Sequence, residues 1–199
     1  VGKDTFVKSV EDLLAKYPEN TPLSQIPELS GDGGTDLPTI EGGNGIQIAV
    51  LDALHNGVTV KFDPITKVIT LDGAGVKVSL DGIERIQFSD GTLAFDFDGV
   101  SGQVYRLYQA AFDRDPDKGG LKYWIDNMDK GMGLEETAAR FIDSKEFVSI
   151  YGTGADTEDF VARLYQNILG REAEKEGFDY WVKEINNGMT LTRALVGFS

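Results

Sequence analysis

The chain has no cysteine. That absence excludes disulfides, thiolate nucleophiles and thiolate metal sites together. Histidine occurs once, at His55, so no H-E-x-x-H zinc motif exists; nor does a G-x-S-x-G elbow, a phosphate loop or a dinucleotide fingerprint. Long apolar runs are missing too. The stretch 46–54 falls far short of the ~20 residues that cross a bilayer, and residues 1–17 are amphipathic and charged rather than signal-like. Basic residues are scarce, 19 Lys and Arg against 33 Asp and Glu, for a formal net charge of −14. Residues 1–100 hold 7 basic against 16 acidic side chains, and residues 101–199 hold 12 against 17. Neither half carries a footprint for a phosphate backbone or an anionic membrane, so nucleic acid and membrane insertion are not expected. Such a surface suits cations, calcium above all.

What the chain does have is a repeat. Arg106-Leu107-Tyr108-Gln109, Arg114, Gly120, Tyr123-Trp124, Gly131-Met132, Leu134 and Phe141 recur unchanged as Arg163-Leu164-Tyr165-Gln166, Arg171, Gly177, Tyr180-Trp181, Gly188-Met189, Leu191 and Phe198, at a constant offset of 57. A fixed period of this length means two copies of one supersecondary unit. Apolar spacing of three and four predicts helices near 102–113, 117–130, 134–143 and 144–151, then 157–169, 174–187 and 190–199, the fifth capped by Asp156 or Thr157 and stopped by Gly170. The first copy runs on past Phe141 through Ser144-Lys145-Glu146-Phe147, whereas the second stops at Phe198-Ser199, and the chain has no initiator Met. It is expected to be an excised piece of a longer protein.

The first half follows a different rhythm. Asp4, Phe6, Val7, Val10, Leu13, Leu14 and Tyr17 predict an N-terminal helix over 1–17, ended by Pro18; the Pro- and Gly-rich stretch 18–45 predicts a linker. Asn56-Gly57 between the apolar runs 46–54 and 58–62 predicts a hairpin, with His55 as a solvated turn residue. Asp-Gly pairs at 72, 81, 90 and 98 then punctuate short strands at spacings of nine, nine and eight, a rhythm that predicts a β-roll or small solenoid.

The repeated residues carry a resemblance. The pattern Arg-Leu-Tyr-Gln, Arg, Gly, Tyr-Trp, Gly-Met, Leu, Phe, Ser-Lys-Glu-Phe is similar to the bacterial helical repeat known as domain of unknown function 4214, over residues 101–199. The resemblance implies a place in a large secreted or surface protein, beside hemolysin-type calcium-binding repeats, and no assigned activity. The segment from Leu80 to Asp96 resembles the closing segment of such a calcium-binding roll. In the glycine-bearing turns ahead of that segment, however, Gln47 after Gly42-Gly43-Asn44-Gly45 and Lys77 after Gly73-Ala74-Gly75 stand where the roll needs an Asp ligand, and a lysine repels the ion.

The expected class is α+β: an N-terminal helix at 1–17, a linker at 18–45, a β-rich roll-like region at 46–100, and an all-helical repeat domain at 101–199 with copies at 104–152 and 161–199. The expected function is that of a non-catalytic module of a secreted or cell-surface bacterial protein, in adhesion, matrix or surface-layer assembly, with other surface proteins or polysaccharide as partners. The alternative is the C-terminal accessory or secretion region of a secreted hydrolase. No catalytic residue is assigned. Asp113, Asp115 and Asp117 have the spacing of EF-hand positions 1, 3 and 5 and are the candidate ligands for weakly held calcium, although Lys118 and Trp124 replace the Gly and Glu of positions 6 and 12. The competing reading is helix capping by Asp115, with Pro116 and Asp117 in the first turn. Tyr123 and Tyr180 are the candidate ligand-binding aromatics; Trp124 and Trp181 fall in phase with core positions. Arg106 and Arg163, like Arg114 and Arg171, either pair internally or meet an acidic partner.

Overall fold

Alternating apolar residues build the first half. Strands β4 (Val58–Phe62), β5 (Ile69–Gly73) and β6 (Val76–Asp81) form an antiparallel meander in which Ile69, Leu71, Val76, Val78 and Leu80 are buried, and the register sets Ile69 opposite Leu80 and Leu71 opposite Val78. The β5–β6 turn is Ala74-Gly75, both left-handed at φ 51° and 79°, as a two-residue type I′ hairpin requires. This computed structural model describes residues 46–199 and, N-terminal to them, the strands β1 (Val7–Ser9) and β2 (Thr39–Glu41). Those two extend the meander in parallel, giving the order β1-β2-β6-β5-β4. A second sheet orders β3 (Ile48–Val50), β7 (Arg85–Phe88) and β8 (Gly91–Ala94), with β3 and β7 parallel and β7 and β8 antiparallel. The chain thus passes from the larger sheet to the smaller one twice, and Leu51, Ile86 and Phe88 share one core with the meander.

Three expectations are corrected here. The Asn56-Gly57 pair turns no hairpin. It ends a 3-10 turn, His55–Gly57, between strands that lie in different sheets. The reason is that the His55 N–H donates to Asp90 Oδ1 at 2.9 Å, which ties this turn to the β7–β8 loop. The Asp-Gly pairs at 72 and 90 fall at antiparallel hairpins, that at 81 at a sheet crossing and that at 98 just ahead of the first helix, rather than in successive parallel coils. Lys77 faces Asp72 across the hairpin, 3.8 Å apart. Finally, Val7–Ser9 is a strand where apolar spacing suggests helix; pairing with β2 outweighs the local pattern. The rest of 1–17 and of the 18–45 linker, Gly42–Gly45 included, lies outside the described residues.

The division into a unit ending at Phe95 and a unit from Asp96 to Ser199 follows the change of period. The second unit contains α1 (Val100–Phe112), α2 (Lys118–Asp129), α3 (Leu134–Ile142), α4 (Lys145–Tyr151), α5 (Thr157–Leu169), α6 (Lys175–Asn186) and α7 (Leu191–Phe198). Asp156 caps α5 and Gly170 ends it in the left-handed conformation, as the sequence suggests, and Ser144 and Thr190 cap α4 and α7 in the same way, each accepting from the N–H three residues on. Positions 57 apart share their environments. Val104 and Val161, Leu107 and Leu164, Tyr108 and Tyr165, Thr137 and Ala194, and Ala138 and Leu195 are all buried. The equivalent helices also pack on each other, α1 on α5 and α3 on α7. Each of these helices is short and marginal alone, so the shared core is what holds them.

Candidate functional site

Each copy builds the same aromatic step. Tyr108 meets Phe141 edge-on at 4.8 Å, as Tyr165 meets Phe198 at 5.1 Å; Trp124 and Trp181 lie against the same phenylalanines at 5.2 and 4.9 Å. Both tryptophans are half-buried against the core. Burial pushes the Tyr108 hydroxyl up, a hydrogen bond from Trp124 acting the other way. The conserved-by-repeat glycine has a steric cause. A Cβ on Gly120 would strike the Tyr108 hydroxyl, and one on Gly177 the Tyr165 hydroxyl. Above each tyrosine lies an arginine, Arg114 at 5.1 Å and Arg171 at 5.6 Å from the ring centre.

From the outer side of this step Tyr123 and Tyr180 project, 57% and 54% exposed. Each stands edge-on to its neighbouring tryptophan, at 5.0 and 5.5 Å. These two candidates therefore occupy one place in two copies, on α2 and α6.

The acidic run does not form a cage. Asp113 is the left-handed C-cap of α1 at φ 52°. Asp115 accepts from the Tyr105 hydroxyl. Asp117, not Asp115, is the N-cap of α2, its Oδ1 accepting from the Gly120 N–H at 2.8 Å. The expected cap is right in kind and two residues early in place, because Pro116 lies ahead of the first turn rather than in it. Among the described residues no three His, Asp or Glu side chains gather as metal ligands. These residues do not fit calcium, which takes six or more oxygens, when two of the three carboxylates already accept hydrogen bonds elsewhere.

The arginines resolve individually. Arg114 makes a two-pronged pair with Glu146, Nε to Oε1 at 2.6 Å and Nη2 to Oε2 at 2.9 Å, which holds Glu146 below the usual carboxylate range. Arg171 pairs with Glu174 and Arg163 with Asp159 at 2.8 Å. Arg106 donates to the carbonyls of Phe97 and Ser199. In the β unit His55 is exposed, as a turn residue should be, but it is not merely solvated. Its Nδ1 lies 2.9 Å from Asp90 Oδ2, and with the backbone bond it draws the Asp90 carboxyl down, the side-chain bond contributing most. The neighbouring Ser89 hydroxyl donates to Asp52 Oδ1 at 3.2 Å rather than to His55, so no nucleophile–base pair is assembled there.

Sequence reasoning missed three residues. Glu146 is 32 positions from Arg114, and only its place in the repeated Ser-Lys-Glu-Phe pattern hints at it. Tyr105 differs between the copies, where Ala162 stands, and so drops out of a search for identity. Tyr151, buried and stacked on Phe147 at 4.2 Å, has a hydroxyl with no hydrogen-bond partner and is pushed up to about 12 by burial. The nearby Asn167 gives its Nδ2 to the Ala110 carbonyl at 3.1 Å instead.

Between α5 and α6 runs a groove of about 440 Å³, lined by Ala162, Arg163, Gln166, Glu172, Ala173 and Phe178. No helix among the described residues is long and apolar enough to cross a membrane. Residues 101–137 and 138–199 match the model of the family described as Domain of unknown function (DUF4214). Comparison with curated proteins and with solved structures gave no match.

Proposed function

We propose that this chain is a non-catalytic binding module of a secreted or cell-surface bacterial protein, working in adhesion, matrix or surface-layer assembly. The observation that supports this reading is the pair Tyr123 and Tyr180. Two exposed aromatics at the same position of two packed copies offer two equivalent contacts. A ligand with a repeating structure, such as a surface polysaccharide or an assembled protein layer, that engages both gains from the linkage without any new contact. Aromatic rings supply that contact at little entropic cost. The repeat core behind them fixes their spacing, since Trp124 and Trp181 anchor both rings to the interior. The acidic surface favours partners that are neutral or basic.

The test is retention of beads coated with the purified protein on the extracellular surface of bacterial cells. The Tyr123→Ser/Tyr180→Ser double variant is expected to lose retention far more than either single variant does. Equal retention of the double variant and the unaltered protein removes the aromatic face from the reading.

A further inference from the structure

The two copies differ at one informative place. In copy one Tyr105 leaves α1, crosses toward α2 and gives its hydroxyl to Asp115 in the loop between those helices. That bond, with burial adding to it, raises the tyrosine's pKa. In copy two the position 57 residues on is Ala162, and the carboxylate position is Glu172. These are two of the six residues that line the groove between α5 and α6. The others, Arg163, Gln166, Ala173 and Phe178, are equivalent by the offset of 57 to Arg106, Gln109, Pro116 and Leu121 of copy one. Glu172 enters the described hydrogen bonds only through its backbone carbonyl, which accepts from Arg171 Nη1 at 3.4 Å.

We propose that the α5–α6 groove is a binding site for a tyrosine side chain presented by a partner polypeptide. The ring lies against Ala162, Ala173 and Phe178, and its hydroxyl donates to the carboxylate of Glu172. Copy one is the template: there the framework carries its own tyrosine, still exposed, whose hydroxyl bonds the equivalent carboxylate. Truncation to Ala162 leaves the space and keeps the acceptor. This site lies apart from the exposed Tyr123 and Tyr180 and does not depend on the adhesion reading.

The experiment is amide NMR of the full chain titrated with N-acetyltyrosinamide, with N-acetylphenylalaninamide and p-cresol as companion probes. The unaltered protein is expected to show one saturating set of shifts, around 162–178, with a Kd on the order of 1 mM and a three- to tenfold preference, roughly, for the tyrosine probe over the phenylalanine probe. Ala162→Tyr is expected to abolish these shifts by filling the groove; Ala162→Leu does the same should the larger residue fail to fold. Glu172→Ala is expected to remove the preference while leaving the ring bound. Tyr105→Ala opens copy one and is expected to add a second saturating set around 105–121. The proposal is overturned if no saturable shift appears at Ala162 and Phe178, if Ala162→Tyr and Ala162→Leu leave those shifts unchanged, or if Tyr105→Ala still shows one set. Binding of p-cresol without N-acetyltyrosinamide overturns it too, since the groove then takes a small phenol and not a peptide-borne side chain.

Discussion

Asn167 Nδ2 donates to the carbonyl of Ala110 at 3.1 Å, and these two residues are one and the same position of the repeat, 57 apart. A repeated position that meets its own counterpart is the mark of a local two-fold relation, the intrachain version of an isologous dimer interface. Two copies simply translated along the chain would bring unlike positions together. The pairing of α1 with α5 and of α3 with α7 fits the same relation.

The tyrosine–glycine contact in each copy gives the first expectation. Gly120→Ala places a methyl group against the Tyr108 hydroxyl and is expected to cost about 1–3 kcal/mol through overpacking. Tyr108→Phe removes the obstacle, so the double variant should be more stable than the sum of the two single effects implies. Urea denaturation of the four proteins measures the coupling; strict additivity would place the glycine's role elsewhere.

Adjacent aromatics should behave oppositely. Trp124 lies against Phe141, and Trp124→Ala is expected to cost about 3 kcal/mol. Tyr123 is 57% exposed, and Tyr123→Ala should change stability by no more than about 0.5 kcal/mol. Equal urea midpoints for the two variants would mean that the tryptophan carries no core packing.

Much of this arrangement is legible in the sequence, and the limits have physical causes. Identity at a constant offset exposes the repeat because both copies bury the same side chains: Leu107 with Leu164, Tyr108 with Tyr165. Helix ends are readable because Ser144, Asp156 and Gly170 act within three or four residues of themselves. Pairing between distant strands is not so local. Nothing near Asn56-Gly57 announces that Asp90, 35 residues from His55, will claim its N–H and keep β3 and β4 in separate sheets. The same holds for the acidic run. Its spacing shows three carboxylates close in sequence, but Tyr105 and the Gly120 N–H decide what they do.

Acid should weaken the helical unit through Glu146. Its folded pKa is held down, chiefly by the hydrogen bonds from Arg114. A carboxyl depressed on folding adds stability above its unfolded value, about 4.3, and that stability is lost as pH falls through the folded value. Both side chains are more than a third exposed, 38% and 40%, so solvent screening keeps the contribution near neutrality to about 0.5 kcal/mol. Below about pH 4.3 the stability of the unaltered protein should fall more steeply than that of Glu146→Gln. Parallel acid limbs in denaturant titrations would remove the pair from this account.

The Asp90 carboxyl offers a second titration. His55 lowers its pKa through a side-chain bond first and a backbone bond second. His55→Ala removes only the first, so carbon-detected NMR should find Asp90 moved partway back toward the ordinary aspartate value. An unmoved Asp90 would show that the backbone bond alone sets it.

Calcium provides the sharpest test of the acidic run. With Asp115 accepting from Tyr105 and Asp117 capping α2, addition of about 10 mM calcium is expected to raise the melting temperature equally, or not at all, in the unaltered protein and in Asp115→Ala. A rise confined to the unaltered protein would establish a cation site at Asp113, Asp115 and Asp117.

The stacking of Phe147 on Tyr151, with Phe160 set edge-on to Tyr151 at 5.5 Å, has a consequence for exchange. Phe147 and Tyr151 end copy one, while Phe160 is already inside α5. Peeling either copy away would open this cluster to water and strand the α1 and α5 faces together. Amide protons in α1 and α5 should therefore exchange at the same free energy, through one shared opening, with no partially unfolded species in which a single copy survives.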